Sequence, residues 1–312
     1  LKSGGEMLSE IFYWVLNMSI VGGAAGLIIL GLRKIRPLPR SLVYLLWVIP
    51  LLRFWAPVSP SESYSLMTLI SRFTSKTVVV YEPEVLSPLV ATNLVMAADA
   101  YFPVEYKTGM LESVFFFASL VWAVIACATL IVLLLLYGFA KARVNNPLHL
   151  KDNVYLSDKV TAPAVYGIRR PRIILPEGMA EEELKYVLLH ENAHLSRRDN
   201  LFRCIALITA CIHWFNPFVW LFLKYCFEDM ELACDARVLK NLSEDEKKRY
   251  ALSLLSCTAG NGLLHASFGG AKIRARIESI LSYKKLTLLS AIAFALLVSA
   301  IGLVLLTNAQ IS

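Results

Sequence analysis

The sequence predicts a mainly α-helical membrane protein with about four transmembrane helices and a water-facing domain that contains a small β-sheet. Hydrophobic residues fill 57% of the 312 positions and charged ones 18%, with a mean hydropathy of +0.57. A soluble globule has no use for that much apolar sequence. Three apolar runs are also long enough to cross a hydrocarbon core of roughly 30 Å. The third observation concerns the domain: LLHENAHLSRRDN, residues 188–200, sets two histidines four apart around a glutamate, in charged surroundings.

In chain order, the opening LKSGGE before Met7 reads as an expression scar (residues 1–6), and residues 7–140 as an N-terminal membrane region. Its first span, 11–32, is too long, and too poor in a cleavage site, for a removable signal peptide. The second, 41–58, is interrupted by Pro50 and Arg53, and Arg53 lies close enough to one end to snorkel to the interface. Segment 59–112 is expected to form a loop packed on the spans, 113–138 the third span, and 286–306 the last, followed by a tail at 307–312.

Charge sets the orientation. The link RKIRPLPR carries Arg33, Lys34, Arg36 and Arg40 without an acid, whereas segment 59–112 carries Arg72, Lys76 and Lys107 against six acids. The positive-inside rule then puts the link and residues 141–285 in the cytoplasm, and the N-terminus, segment 59–112 and the tail outside. The formal net charge of +7 is mostly topology, and no direct nucleic-acid binding is expected. None of the six cysteines lies in the outside segment and none forms a CxxC pair, so neither a disulfide framework nor a cysteine zinc site is indicated.

The cytoplasmic block opens with short extended runs at 154–156, 164–167 and 172–175, punctuated by Pro163, Gly167, Pro171 and Pro176, which fit a small sheet. A helix over about 180–197 follows, acidic in its first turn and basic in its last, as the macrodipole favours. The apolar run 201–225, broken by His213 and Asn216-Pro217, is either a fifth crossing or a membrane-associated hairpin. The hairpin is preferred, because an extra crossing would part EDMELACD from the first motif. A helix over about 228–240 and a polar one from 243 complete the domain.

His190 and His194 share one helical face and are spaced to bind one Zn2+. Glu191 is displaced around the helix, where it takes a proton from water and returns it to the leaving amine. A tetrahedral catalytic zinc needs a third protein ligand and one open position. The metzincin extension is ruled out by Arg197 and Asn200, which stand where it needs glycine and histidine. EDMELACDARVL offers the other solution: Glu231 as ligand and Asp235, four residues on, as acceptor from the far nitrogen of a ligand histidine. The competing picture is a solvated acidic helix, for which Glu228 and Asp229 are natural candidates. His149 and His213 read as structural, His265 as a loop residue, and Arg274 and Arg276 as interfacial or solvated, with oxyanion stabilisation as the lesser alternative.

HENAHLSRRDN and ELACDARVL, preceded by APAVYGIRRPRIILPEGM and followed by SFGGAKIRARI and a last span, resemble the BlaR/MecR-type integral-membrane zinc metalloproteases over about residues 141–306. The resemblance implies a cytoplasmic gluzincin-like metalloprotease domain, with His190, His194 and Glu231 as zinc ligands, Glu191 as general base and Asp235 behind a ligand. It also implies an edge strand that clamps substrate by strand addition, for which Arg172, Ile173, Ile174 and Leu175 are the candidate. Self-cleavage is implied at Ser267–Phe268, within a glycine-rich stretch. The implied setting is signal transduction in a bacterial-type plasma membrane, with membrane lipid, a cytosolic repressor-like substrate and a second copy of the chain as candidate partners. Antibiotic-sensing members carry an extracellular penicillin-binding domain after the last span. This sequence stops at Ser312, so a truncated chain or a sensor-less member is expected. The alternatives are a prenyl-protein-type membrane peptidase, which uses more spans, and a non-catalytic receptor or scaffold, which has no need of Glu191.

Overall fold

The computed structural model describes residues 4–35, 38–56, 61–62, 64–65, 110–144, 147–259, 273–283 and 287–309. Two long helices, α1 (Gly4–Leu32) and α4 (Met110–Arg143), and a third near the end, α10 (Leu288–Leu306), are long and apolar enough to cross a membrane. Segment 41–58 folds as two short helices in series, α2 (Arg40–Leu46) and α3 (Val48–Trp55). The break has a local cause: Pro50 has no N–H to offer the Leu46 carbonyl, yet it is tolerated in the first turn of α3.

Arg53 corrects the snorkelling expectation. It is 2% exposed and turns inward, donating from Nε to the Leu305 carbonyl at 2.7 Å and from its guanidinium to the Thr307 carbonyl. Carbonyls at a helix C-terminus have no intrahelical partner, and the dipole there favours a cation. Arg53 therefore ties α3 to the end of α10. Beside it the pair β1 (Ser61–Glu62) and β6 (Asn308–Ala309) forms a parallel two-stranded ladder.

The run 201–225 belongs to two helices, α6 (Asp199–Ile212) and α7 (Pro217–Leu239), joined by a turn at 213–216. Asn216 caps α7, accepting from the Phe218 N–H at 3.0 Å, with Pro217 at the first helical position. The helix expected from about 228 thus starts at Pro217. At the turn, the Asn216 amide donates to the Ser19 carbonyl and hydroxyl at 3.1 and 2.9 Å, halfway along α1. At the far end, Arg33 meets Asp229. Both stretches rise about 20 Å, so α7 runs parallel to the second half of α1. Gly26 permits close packing there, since a Cβ on it would overlap Phe222 of α7; Gly22 does the same toward α3, where a Cβ would lie 2.8 Å from the Phe54 ring.

The four-stranded sheet has the order β2-β3-β5-β4, with β3 (Val154–Ser157) parallel to β5 (Arg172–Pro176) and the other pairs antiparallel. β2 (Leu148–Lys151) was not anticipated; all four residues are exposed, so no alternation marks it. Ile173 and Leu175 pack on Val187 of α5 (Glu181–Arg197) and join the sheet to that helix. β5 has neighbours on both sides, which corrects the assignment of Arg172, Ile173, Ile174 and Leu175 to an edge. Among the described residues, the outer strands of the sheet are β2 and β4 (Ala164–Tyr166). α8 (Glu244–Ala259) and α9 (273–281) complete the domain through a core of Tyr186, Cys234, Leu239, Tyr250 and Ile280. Most of 59–112, the whole stretch 260–272 with His265 and the Ser267–Phe268 bond, and the tail from 310 lie outside the described residues.

Candidate metal centre

Three chain segments deliver the site. α5 presents His190, Glu191 and His194, all buried. One turn of helix separates the two histidines, and their Nε2 atoms lie 3.1 Å apart. α7 brings Glu231 against them, with carboxylate oxygens 3.4 Å from His190 Nε2 and 3.6 Å from His194 Nε2. Two donor atoms, each roughly 2.0–2.1 Å from one tetrahedral ion, lie about 3.3 Å apart. The three separations therefore frame a single metal.

The far nitrogens set the tautomers. His194 Nδ1 lies 2.7 Å from Asp199 Oδ2, an acceptor only, so the proton belongs on Nδ1. His190 Nδ1 lies 2.8 Å from the Tyr250 hydroxyl, which donates to Asp235 Oδ1 at 2.6 Å, and 3.2 Å from Asp235 itself. Its proton is thereby placed on Nδ1 as well. Both Nε2 lone pairs then converge with the Glu231 oxygens, and acceptors this close call for a cation between them. The donor set, two imidazoles and a carboxylate, fits zinc.

The electrostatics agree. Burial presses both histidines toward the neutral form, but their hydrogen-bond partners outweigh it: Asp235 and Glu231 raise His190 to about 9, and Asp199, Cys234 and Glu231 raise His194 to about 11. Burial pushes Glu231 upward, and the two histidines hold it well below the usual carboxylate range. A well of this depth draws positive charge onto the Nε2 atoms, as a proton or as a metal ion. Cys234 also approaches: its sulfur and one atom of each histidine lie within 4.8 Å of one another. Its thiol donates to the His190 carbonyl at 3.4 Å and burial raises its pKa, which makes it a floor to the site in preference to a thiolate ligand.

Asp199 reaches His194 because the chain reverses at Arg198, whose φ of 56° and ψ of 38° end α5 in the left-handed region. In an uninterrupted helix a residue five positions on would point elsewhere. Asp199 is further held by Tyr44 and Arg197, at 3.2 and 3.3 Å. The next residue, Asn200, donates to the Val165 and Gly167 carbonyls at 2.7 and 3.1 Å, so the same junction fixes edge strand β4 beside the site.

The structure brings together His190, His194, Glu231 and Asp235, with Glu191 buried on the motif helix. It adds Asp199, Tyr250 and Arg203, which sequence reasoning missed, and Arg276, which sequence reasoning brought to the site only as the lesser alternative. Arg203 donates to Glu231 at 2.6 Å, and Arg276 grips Asp235. The expectation that Arg276 is interfacial or solvated is thus corrected; Arg274, exposed and paired with Glu278, fits it. Asp229, read as a natural member of a solvated face, is fully buried. His149 is an exposed residue bonded to the Asp152 carbonyl, and His213 is buried against the Phe54 carbonyl.

Helices able to span a membrane, a small sheet on a His-Glu-x-x-His helix and a later glutamate closing on both histidines have the form expected of a membrane metallopeptidase. Residues 13–280 match the model of the family described as BlaR1 peptidase M56, and the chain belongs to that family. It is 32% identical over 167 residues to the Regulatory protein BlaR1 of Bacillus licheniformis, covering 49% of this chain and 28% of that protein. It is 34% identical over 106 residues to the Methicillin resistance mecR1 protein of Staphylococcus aureus, covering 33% and 18%. With the Regulatory protein BlaR1 of Staphylococcus aureus the identity is 29% over 133 residues, covering 39% and 23%. The matched part spans less than a third of the length of each relative.

Proposed function

We propose that the chain is a membrane-embedded zinc endopeptidase working at the cytoplasmic face, which cuts itself, a cytosolic regulatory protein such as a transcriptional repressor, or both. The observation that carries this reading is the convergence of His190 Nε2, His194 Nε2 and the Glu231 carboxylate, with each imidazole held from behind. Zinc bound there supplies a Lewis acid that polarises a peptide carbonyl and acidifies water. Glu191 takes the proton from the attacking water and delivers it to the leaving amine nitrogen. Asp199 and the Asp235–Tyr250 pair keep Nδ1 protonated on both histidines, so that Nε2 stays free to ligate. An extended substrate adds to β4, which replaces 172–175 in that role.

Support for a cytoplasmic site comes from Arg33. It lies in the basic link between the first two helices and pairs with Asp229, two residues from Glu231, so link and site share one side. Relatives named for regulation and methicillin resistance favour a role in signalling that ends in resistance. The test is purification of wild type and Glu191→Gln side by side. Both should hold one zinc per chain, and wild type alone should yield fragments by intact-mass analysis, with Ser267–Phe268 the expected self-cleavage bond. Equal cleavage by both proteins, or zinc lost in Glu191→Gln but kept in Glu231→Ala, would overturn the assigned roles.

A further inference from the structure

We propose that Arg276 is a positioning residue of the metal centre, through which the segment leading into the last span becomes part of the site. The inference rests on the metal-site reading above and deepens it. Arg276 belongs to α9, and only residues 282–287 separate α9 from α10. Its guanidinium closes on Asp235 with two parallel bonds, Nε to Oδ2 at 2.8 Å and Nη2 to Oδ1 at 2.7 Å. Nη2 also lies 3.4 Å from His190 Nε2, and Nη1 lies 3.6 Å from Glu231 Oε2. One side chain thus touches a ligand imidazole, a ligand carboxylate and the acid that orients that imidazole.

Removing Arg276 would leave Asp235, 1% exposed, with the Tyr250 hydroxyl and His190 as its remaining partners. A buried carboxylate short of donors pulls on whatever donor is near. That donor is the Nδ1–H of His190, so the ring would turn toward Asp235 and take Nε2 off the metal position. Glu231 would also lose a flanking cation. The planar fork matters as well as the charge, because only a guanidinium spans both Asp235 oxygens.

The rest of α9 is arranged for this task. Ile280, one turn beyond Arg276, is 1% exposed within the core formed by Tyr186, Cys234 and Tyr250, and it pins the helix down. Arg274 points away and pairs with Glu278 on its own helix. One face of α9 is committed to the protease core and the other is surface.

The experiment uses the full chain in detergent, in a Glu191→Gln background that keeps every proposed ligand. Zinc affinity is measured by chelator competition, and ligand geometry from the visible spectrum of the Co2+-substituted protein. Arg276→Ala should weaken zinc binding about 10- to 100-fold and shift the Co2+ spectrum. Added guanidinium at millimolar concentration, but not tetramethylammonium, should restore part of both. Arg276→Lys should recover little, and Arg274→Ala should match the parent. An Arg276→Ala protein with parental affinity and spectrum overturns the proposal. Should the alanine variant fail to fold, Arg276→Lys decides: a shifted spectrum with weaker zinc supports it, and parental values for both overturn it. A parent whose metal binding depends on Arg276 but whose wild-type form cuts no peptide upholds the inference and ends the peptidase reading. A parent that binds no metal ends both.

Discussion

Two arginine–aspartate pairs hold α7 six residues apart, Arg33 on Asp229 and Arg276 on Asp235. Both aspartates are buried, and in both the arginine bonds the two carboxylate oxygens. The third partner differs. For Asp229 it is the Trp47 indole N–H at 2.9 Å, a neutral donor from α2 and α3's junction. For Asp235 it is the Tyr250–His190 pair. Their acidities move in opposite directions accordingly. Burial raises Asp229 despite Trp47 and Arg33, whereas Arg276 and His190 outweigh burial and hold Asp235 at about 2. The same ion pair is scaffold in one place and part of the proposed metal site in the other, and what decides is the group on the carboxylate's far side.

The comparison breaks most directly at Arg33. Arg33→Ala leaves Asp229 buried with Trp47 as its remaining strong donor, and removing one partner of a buried pair costs about 3–5 kcal/mol. The expected result is a large drop in unfolding temperature with zinc affinity unchanged in the folded protein. A parallel loss of zinc affinity would mean that the two clamps act as one. The next effect in size is at Tyr250. Tyr250→Phe removes one hydroxyl bonded to both Asp235 and His190, while Arg276 keeps Asp235 paired. A loss of about 1–2 kcal/mol is expected, read as weaker zinc binding by chelator competition. Undiminished affinity would make the direct His190–Asp235 contact sufficient and Tyr250 dispensable.

Such contrasts were only partly legible in the sequence. His190, Glu191 and His194, like Glu231 and Asp235, sit within single helices, so spacing alone puts each set on one face. Asp199 was hidden because its reach depends on Arg198 adopting positive φ, which a residue other than glycine rarely does. Arg276 was hidden because it lies 41 residues from Asp235 and no local pattern links them. Arg53 was misjudged because a charge in an apolar run does not reveal the helix end it will cap. β5 was mistaken for an edge, although the unbroken Ile173-Ile174-Leu175 run carries the signature of a strand covered on both faces. Local periodicity is written in the sequence; partners brought together by tertiary packing are not.

A third pair, at the surface, gives the smallest effect and tests whether exposure removes the importance of charge. Glu246 caps α8 by a reciprocal box: its carboxylate accepts from the Ser243 N–H and hydroxyl at 3.1 Å, and Ser243 Oγ accepts from the Glu246 N–H at 3.4 Å. The same carboxylate meets Lys185 of α5 at 2.9 Å, tying the polar helix to the motif helix. Lys185 first, and then the Ser243 bonds, lower Glu246 from 4.5 to about 2. A carboxylate depressed on folding contributes stability that is complete above its ordinary value and is lost as pH falls through the folded value. Glu246→Gln keeps an acceptor for the Ser243 N–H and removes the charge. It should lower the unfolding temperature slightly at pH 7, less so at high salt because exposed pairs are screened. The gap between variant and wild type should narrow between about pH 4.5 and 2, with zinc affinity unaltered at pH 7. A gap that ignores both salt and pH would assign the effect to the cap geometry, and the Lys185 tie would then contribute nothing.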